Sequence, residues 1–123
     1  MLLLDTSFLV LYEAELASRR IGPTRHFLRA RSTEPVAISL ISLGEFAEGF
    51  ASPAEAEAFL SHFRVLQISR AIAYRMAALQ THLPQKLGEN DAWIAATALV
   101  YGAGIVGRDA AFGRIPRLHY FEV

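Results

Sequence analysis

Apolar residues along this chain switch between short unbroken runs and helical spacing, and each switch marks an element. Leu2–Asp5 reads as a strand: three leucines form a buried run that ends on a carboxylate. Thr6 to about Arg20 reads as a helix, with Leu9, Tyr12, Glu13 and Leu16 at helical spacing and Gly22 ending it. Pro23–Arg31 is a second helix with proline in its first turn. Val36–Ser39 is a short strand, and from about Ser42 to Phe50 the period becomes helical again through Leu43, Phe46 and Phe50. Ser52-Pro-Ala-Glu55 is a capping box, so a helix should cover Pro53–Phe63. Val65–Ile68 is a strand, and Ser69 to about Leu83 a helix with Ile72, Met76 and Leu79 on its apolar side. After a loop over Pro84–Glu89, Asn90 or Asp91 caps a helix that runs to Tyr101 and stops at Gly102. Ala103–Gly107 is a fourth strand, Ala110–Phe112 a short helical turn, and Leu118–Val123 a last strand.

Strands alternating with helices imply parallel pairing through right-handed crossovers. The expectation is one three-layer α/β/α domain over residues 1–123, with a mostly parallel central sheet of about five strands. No repeat, linker or low-complexity tract interrupts it.

Composition narrows the chemistry. The chain has no cysteine, which removes disulfides, thiolate zinc sites and cysteine nucleophiles together. Formal net charge is +0, so no global basic field advertises nucleic acid. An apolar share of 53% is high for a small domain and favours self-association or a protein partner. The N-terminus has no basic stretch ahead of an apolar one, and no apolar run approaches the roughly 18 residues that span a bilayer. A cytoplasmic protein without membrane contact is the expectation.

The acids supply the candidate site. The three aspartates all fall at junctions: Asp5 ends the first strand, Asp91 begins a helix and Asp109 follows the fourth strand. In an open parallel sheet, ligands bind outside the carboxyl ends of the strands, where helix N-termini also point. Taken alone, Asp5 reads first as a helix cap, and Asp91 and Asp109 read equally well as caps. Jointly, three unpaired carboxylates at one sheet edge repel one another, and a hard cation is the usual reason to keep them together. Glu45 and Glu48 lie one helical turn apart after the second strand. Glu45, nearer the strand end, is the better fourth ligand, and Glu48 reads as a solvated charge.

These residues carry a resemblance. LLLDTSFLV, SLISLGEFAEGF, GENDAWIAATALVYG and GRDAAF stand in the order and spacing of a PIN-domain ribonuclease, and the whole chain resembles a VapC-type toxin of a toxin–antitoxin pair. The resemblance implies that Asp5, Glu45, Asp91 and Asp109 form an acidic quartet holding Mg²⁺ or Mn²⁺. It also implies metal-dependent hydrolysis of RNA by an activated water, leaving a 5′-phosphate and a 3′-hydroxyl. Its partners would be RNA, a cognate antitoxin and a second copy in a homodimer. Thr6 and Ser7 fit as groups supporting the acids, as does Asn90 beside Asp91. Arg108 either touches substrate phosphate or neutralises the acids. One departure stands out: many relatives carry Thr or Ser two residues before the last acid, and this chain has Gly107.

Oxygen-only ligands suit Mg²⁺ or Mn²⁺ and not zinc. His26, His62, His82 and His119 have no metal-ligand spacing and read as structural or surface residues. Trp93 stands about 200° around the helix from Asp91, so it belongs to the core. Arg25, Arg29 and Arg31 form a basic cluster that reads as a solvated helix face. Phe46, Phe50, Phe59 and Phe63 either pack inside or grip an apolar antitoxin segment. A phosphoryl-accepting receiver domain needs an acid pair at the first strand and a lysine at a later strand end, and a haloacid-type phosphatase needs D-x-D; neither pattern is present. A catalytically weak binding module, or a structure-specific DNA nuclease of the same fold, are the remaining alternatives.

Overall fold

The computed structural model describes residues 1–123. Its centre is strand β1, Leu2–Leu4, whose three leucines are at most 2% exposed. Such a strand can sit only where both its faces are covered. It pairs with β2 (Val36–Ser39) on one side and β4 (Gly104–Gly107) on the other. Outside these lie β3 (Arg64–Leu66) and β5 (Tyr120–Glu122), giving the order β3-β2-β1-β4-β5. Every pairing is parallel, so the sheet is wholly rather than mostly parallel.

Side-chain alternation divides the core in two. Leu3, Ala37, Leu66 and Ile105 face one layer, made of α5 (Arg70–His82) and α6 (Glu89–Tyr101). Leu4, Ile38 and Val106 face the other, where α1 (Thr6–Ala17), α2 (Pro23–Ala30), α3 (Leu40–Ala47) and α4 (Pro53–Leu60) pack. Chain order runs outward from β1 to β2 and β3, then returns across the sheet to β4. The connections therefore part on either side of the β1–β4 seam, the kind of switch point where ligands bind. No helix is long and apolar enough to cross a membrane.

Several boundaries differ from the sequence reading, each for a local reason. Helix α1 stops at Ala17, not near Arg20, because Ser18 caps it and Arg19 turns the chain with φ 56°. Its buried residues are Phe8, Leu9 and Glu15, while Leu16, expected on the apolar face, is 38% exposed. Helix α3 starts at Leu40, two residues early, because the Ser39 hydroxyl accepts from the Ser42 N–H. Helix α6 starts at Glu89 with Gly88 as its cap, so neither Asn90 nor Asp91 is the capping residue. The turn after β4 extends as a 3₁₀ helix from Ala110 to Arg114.

Candidate metal centre

The carboxyl ends of β1 and β4 place Asp5 and Asp109 across the switch-point seam. Asp5 is 3% exposed. Its Oδ1 accepts from the Phe8 N–H at 2.8 Å and from the Ser7 hydroxyl at 2.7 Å, so it does cap α1. Neither bond uses Oδ2. Asp5 also lines a small cavity, about 170 Å³, with Thr6, Ser7, Glu45, Asp91, Ile94, Asp109 and Phe112. All four sequence-selected acids thus open into one space.

Each acid has its own support. Thr6 donates to Glu45 Oε1 at 2.6 Å, and the Asn90 side-chain amide donates to Oε2 at 3.1 Å. Asp109 Oδ1 accepts from the Ala111 N–H at 2.9 Å and so caps the 3₁₀ helix. Asp91 occupies the first turn of α6, near the positive end of that helix. Arg108 contributes through its backbone: its N–H donates to the Ser7 hydroxyl at 2.9 Å. Its guanidinium pairs with no acid, so of the two roles open to it, neutralising the acids is not seen; the one ion pair in the chain is Arg31–Glu34. Glu48 is exposed at the end of α3, outside the cavity.

Crowded charge is visible in the proton affinities. The Asp91 carboxyl is pushed up to about 6, first by burial and then by the charge and hydrogen-bonding contact of Asp109, with Glu45 and Asp5 adding. Burial also raises Asp5; the Ser7 and Phe8 hydrogen bonds pull the other way, and the charges of Asp109 and Glu45 push it up further. Four carboxylates without a cationic partner are a donor set that a hard cation fits. As the side chains stand, no three acids converge tightly enough to enclose an ion. Mg²⁺ does not require that, since it keeps several waters and takes one or two carboxylates directly.

Gly107 has a steric reason. A Cβ built there would overlap the Asp5 carboxyl group, so a hydroxyl residue at this position requires the Asp5 carboxyl to shift.

The PIN domain family profile matches residues 2–118. The chain belongs to the PIN-domain family. No curated protein matches it in sequence. Among solved structures, this PIN domain is similar to VapBC2 from Rickettsia felis bound to a promoter DNA fragment (TM-score 0.80, 23% identity, 98% of this chain and 97% of that one). It is similar to a toxin–antitoxin complex from Klebsiella pneumoniae (TM-score 0.72, 29% identity, 100% of both chains). It is also similar to Mycobacterium tuberculosis VapC20, described as a toxin cleaving the sarcin–ricin loop (TM-score 0.60, 20% identity, 92% of this chain and 93% of that one).

Other sequence candidates lie apart from the acids. Trp93 is half-buried against the α5–α6 core, and all four histidines are exposed. Arg31 stacks over Phe27 and Phe121, with Cζ 4.7 and 4.8 Å from the ring centres. The sequence reading missed Glu15, which is 2% exposed yet accepts from the Thr24 hydroxyl and from the N–H groups of Gly22, Thr24 and Arg25. It caps α2 from inside α1, and its signal was an acid in the apolar stretch of α1. Tyr120 was also missed: its hydroxyl is buried without a hydrogen-bond partner.

Proposed function

We propose that this PIN domain is the VapC-type toxin of a toxin–antitoxin pair and a divalent-metal-dependent endoribonuclease. The observation that carries the reading is the acidic cavity at the β1–β4 switch point, where Asp5, Glu45, Asp91 and Asp109 meet with no cationic side chain among them. Asp5, Glu45, Asp91 and Asp109 are the residues that would hold the cation. Mg²⁺ or Mn²⁺ bound there would lower the pKa of an attacking water and stabilise the leaving oxygen of a phosphodiester. Thr6 and Asn90 fix the Glu45 carboxylate by one bond to each oxygen. Ser7 ties Asp5 to the Arg108 backbone and so links the β1 and β4 ends. RNA is the proposed substrate, in keeping with the sarcin–ricin loop cleavage described for VapC20.

The proposed protein partner is an antitoxin. A groove of about 480 Å³ runs between α1, α2 and α4, with Tyr12, Leu16, Leu28, Phe59 and Phe63 among its walls. Phe46 is buried and Phe50 packs on it away from this groove, so only Phe59 and Phe63 of the four phenylalanines line it. A homodimer is part of the same reading, consistent with Tyr74 on α5 being 70% exposed.

Purified protein should cut single-stranded RNA with Mg²⁺ or Mn²⁺, stop with EDTA, and lose the activity in Asp91→Asn. Cleavage that persists in EDTA, or survives the substitution, contradicts the reading.

A further inference from the structure

A second cavity, about 270 Å³, adjoins the acidic one and shares Glu45 as a wall. Val10 and Glu13 line it from one face of α1, and Phe46, Gly49 and Phe50 line it from α3 and the turn that follows. The two phenylalanine rings meet edge to face, 5.2 Å between centres. Val10 is 56% exposed at its lip, a large apolar surface left open. Glu13 enters no ion pair. The cavity therefore offers apolar walls, one free carboxylate, and a position against the acidic centre.

Among the parts of an RNA strand and its apolar alternatives, that combination favours one occupant. A second phosphate is repelled by Glu13 and Glu45. An aliphatic group would cover Glu13 and leave its carboxylate without a partner. An unpaired base satisfies both features, because RNA readers stack bases on aromatic walls and hydrogen-bond their Watson–Crick edges. Guanine alone places two adjacent donors, N1–H and N2–H, on that edge, matching the two oxygens of a carboxylate. Adenine and cytosine each set one donor beside an acceptor, and uracil flanks its single donor with two acceptors. We propose that this cavity is a base subsite that takes an unpaired guanine next to the scissile phosphate, with Glu13 reading its Watson–Crick edge. The proposal rests on the nuclease reading above.

The test has two arms. Wild-type protein with Mn²⁺ is given a random single-stranded RNA pool and the cut ends are sequenced, beside Glu13→Gln and a surface control, Glu48→Gln. Guanine should be enriched about tenfold at one fixed position beside the cut, the scale of one bidentate base contact. Glu13→Gln should level it, and Glu48→Gln should not. In the second arm, saturation-transfer NMR in EDTA compares guanosine with adenosine, so that neither metal nor cleavage is needed. Guanosine should bind in preference, and Glu13→Gln should abolish the difference. Equal binding of the two nucleosides, a preference unchanged in Glu13→Gln, or cuts indifferent to guanine would each overturn the proposal. If no RNA is cut but guanosine binds selectively through Glu13, the nuclease reading fails and the base pocket stands.

Discussion

Asp5 performs two tasks with one carboxylate: Oδ1 caps α1, while the group as a whole borders the acidic cavity. Asp5→Asn keeps a carbonyl oxygen for the cap and removes the charge, so ribonuclease activity should fall while the fold is retained. Asp5→Ala should in addition cost about 1 kcal/mol in a denaturant melt, the usual worth of a lost cap. The residues behind the acids should matter by less. Thr6→Val and Asn90→Ala each free one oxygen of Glu45 and should weaken Mn²⁺ binding about 10–100-fold by calorimetry. Glu15 carries a different role. Burial pushes its carboxyl up, but the hydrogen bonds from Thr24, Arg25 and Gly22 outweigh that and hold it below its ordinary 4.5. With the folded value lowered, its stabilisation is complete above about 4.5 and disappears as pH falls through the folded value. Glu15→Gln should therefore cost about 2 kcal/mol at neutral pH, and the difference from wild type should shrink in acid urea melts. A pH-independent difference would mean that the charge contributes nothing.

Elements show which parts of the site were legible. Asp5 stands out because it interrupts an apolar strand at its carboxyl end; Asp109, two residues beyond the end of β4, is a weaker signal that gains weight because strand ends in a parallel sheet share one edge. Asp91 lies in the first turn of α6, as its place at a helix start suggests, although Gly88 and not an acid caps that helix. Apart from the resemblance, Glu45 has only its nearness to β2 to mark it; its place depends on Thr6 and Asn90, which are 39 and 45 residues away in sequence. Glu15 was hidden because its partners belong to α2, and because the buried side of α1 runs through Phe8, Leu9 and Glu15 rather than Leu16. Gly107 was noticed as a departure whose meaning lay in the β1–β4 pairing, which sets it against Asp5. Gly107→Ser should force the Asp5 carboxylate away from the cavity, cost about 1–3 kcal/mol from overpacking, and lower cleavage. Unchanged melting and activity would mean that Asp5 has room to move.

At the scale of the molecule, the fold separates its surfaces. The acidic cavity opens at the strand ends, and the apolar groove runs between α1, α2 and α4. Leu16→Glu, at the groove, should weaken antitoxin binding about tenfold or more if the segment buried there is apolar. Charge at the strand-end edge sets how the metal-free protein responds to pH. Asp91 titrates near 6 when folded against an ordinary 3.8, so the folded state takes up the proton first. Stability of the metal-free protein should rise as pH falls from above 6 toward about 4, then gain nothing more from this group. The α6 N-terminus favours a negative Asp91 by roughly 0.3–1 kcal/mol, yet the carboxyl is raised, so burial and the neighbouring acids prevail.

The most direct measurement compares melting temperatures of wild type and Asp91→Asn at neutral pH, each in chelator and with Mn²⁺. If the acids form a cation centre, the variant melts above wild type in chelator, because one repelling charge is gone. Mn²⁺ then raises wild type more than the variant, because a ligand stabilises only the form that binds it. A variant that melts no higher in chelator, with Mn²⁺ moving neither protein, would contradict the cation centre and with it the nuclease.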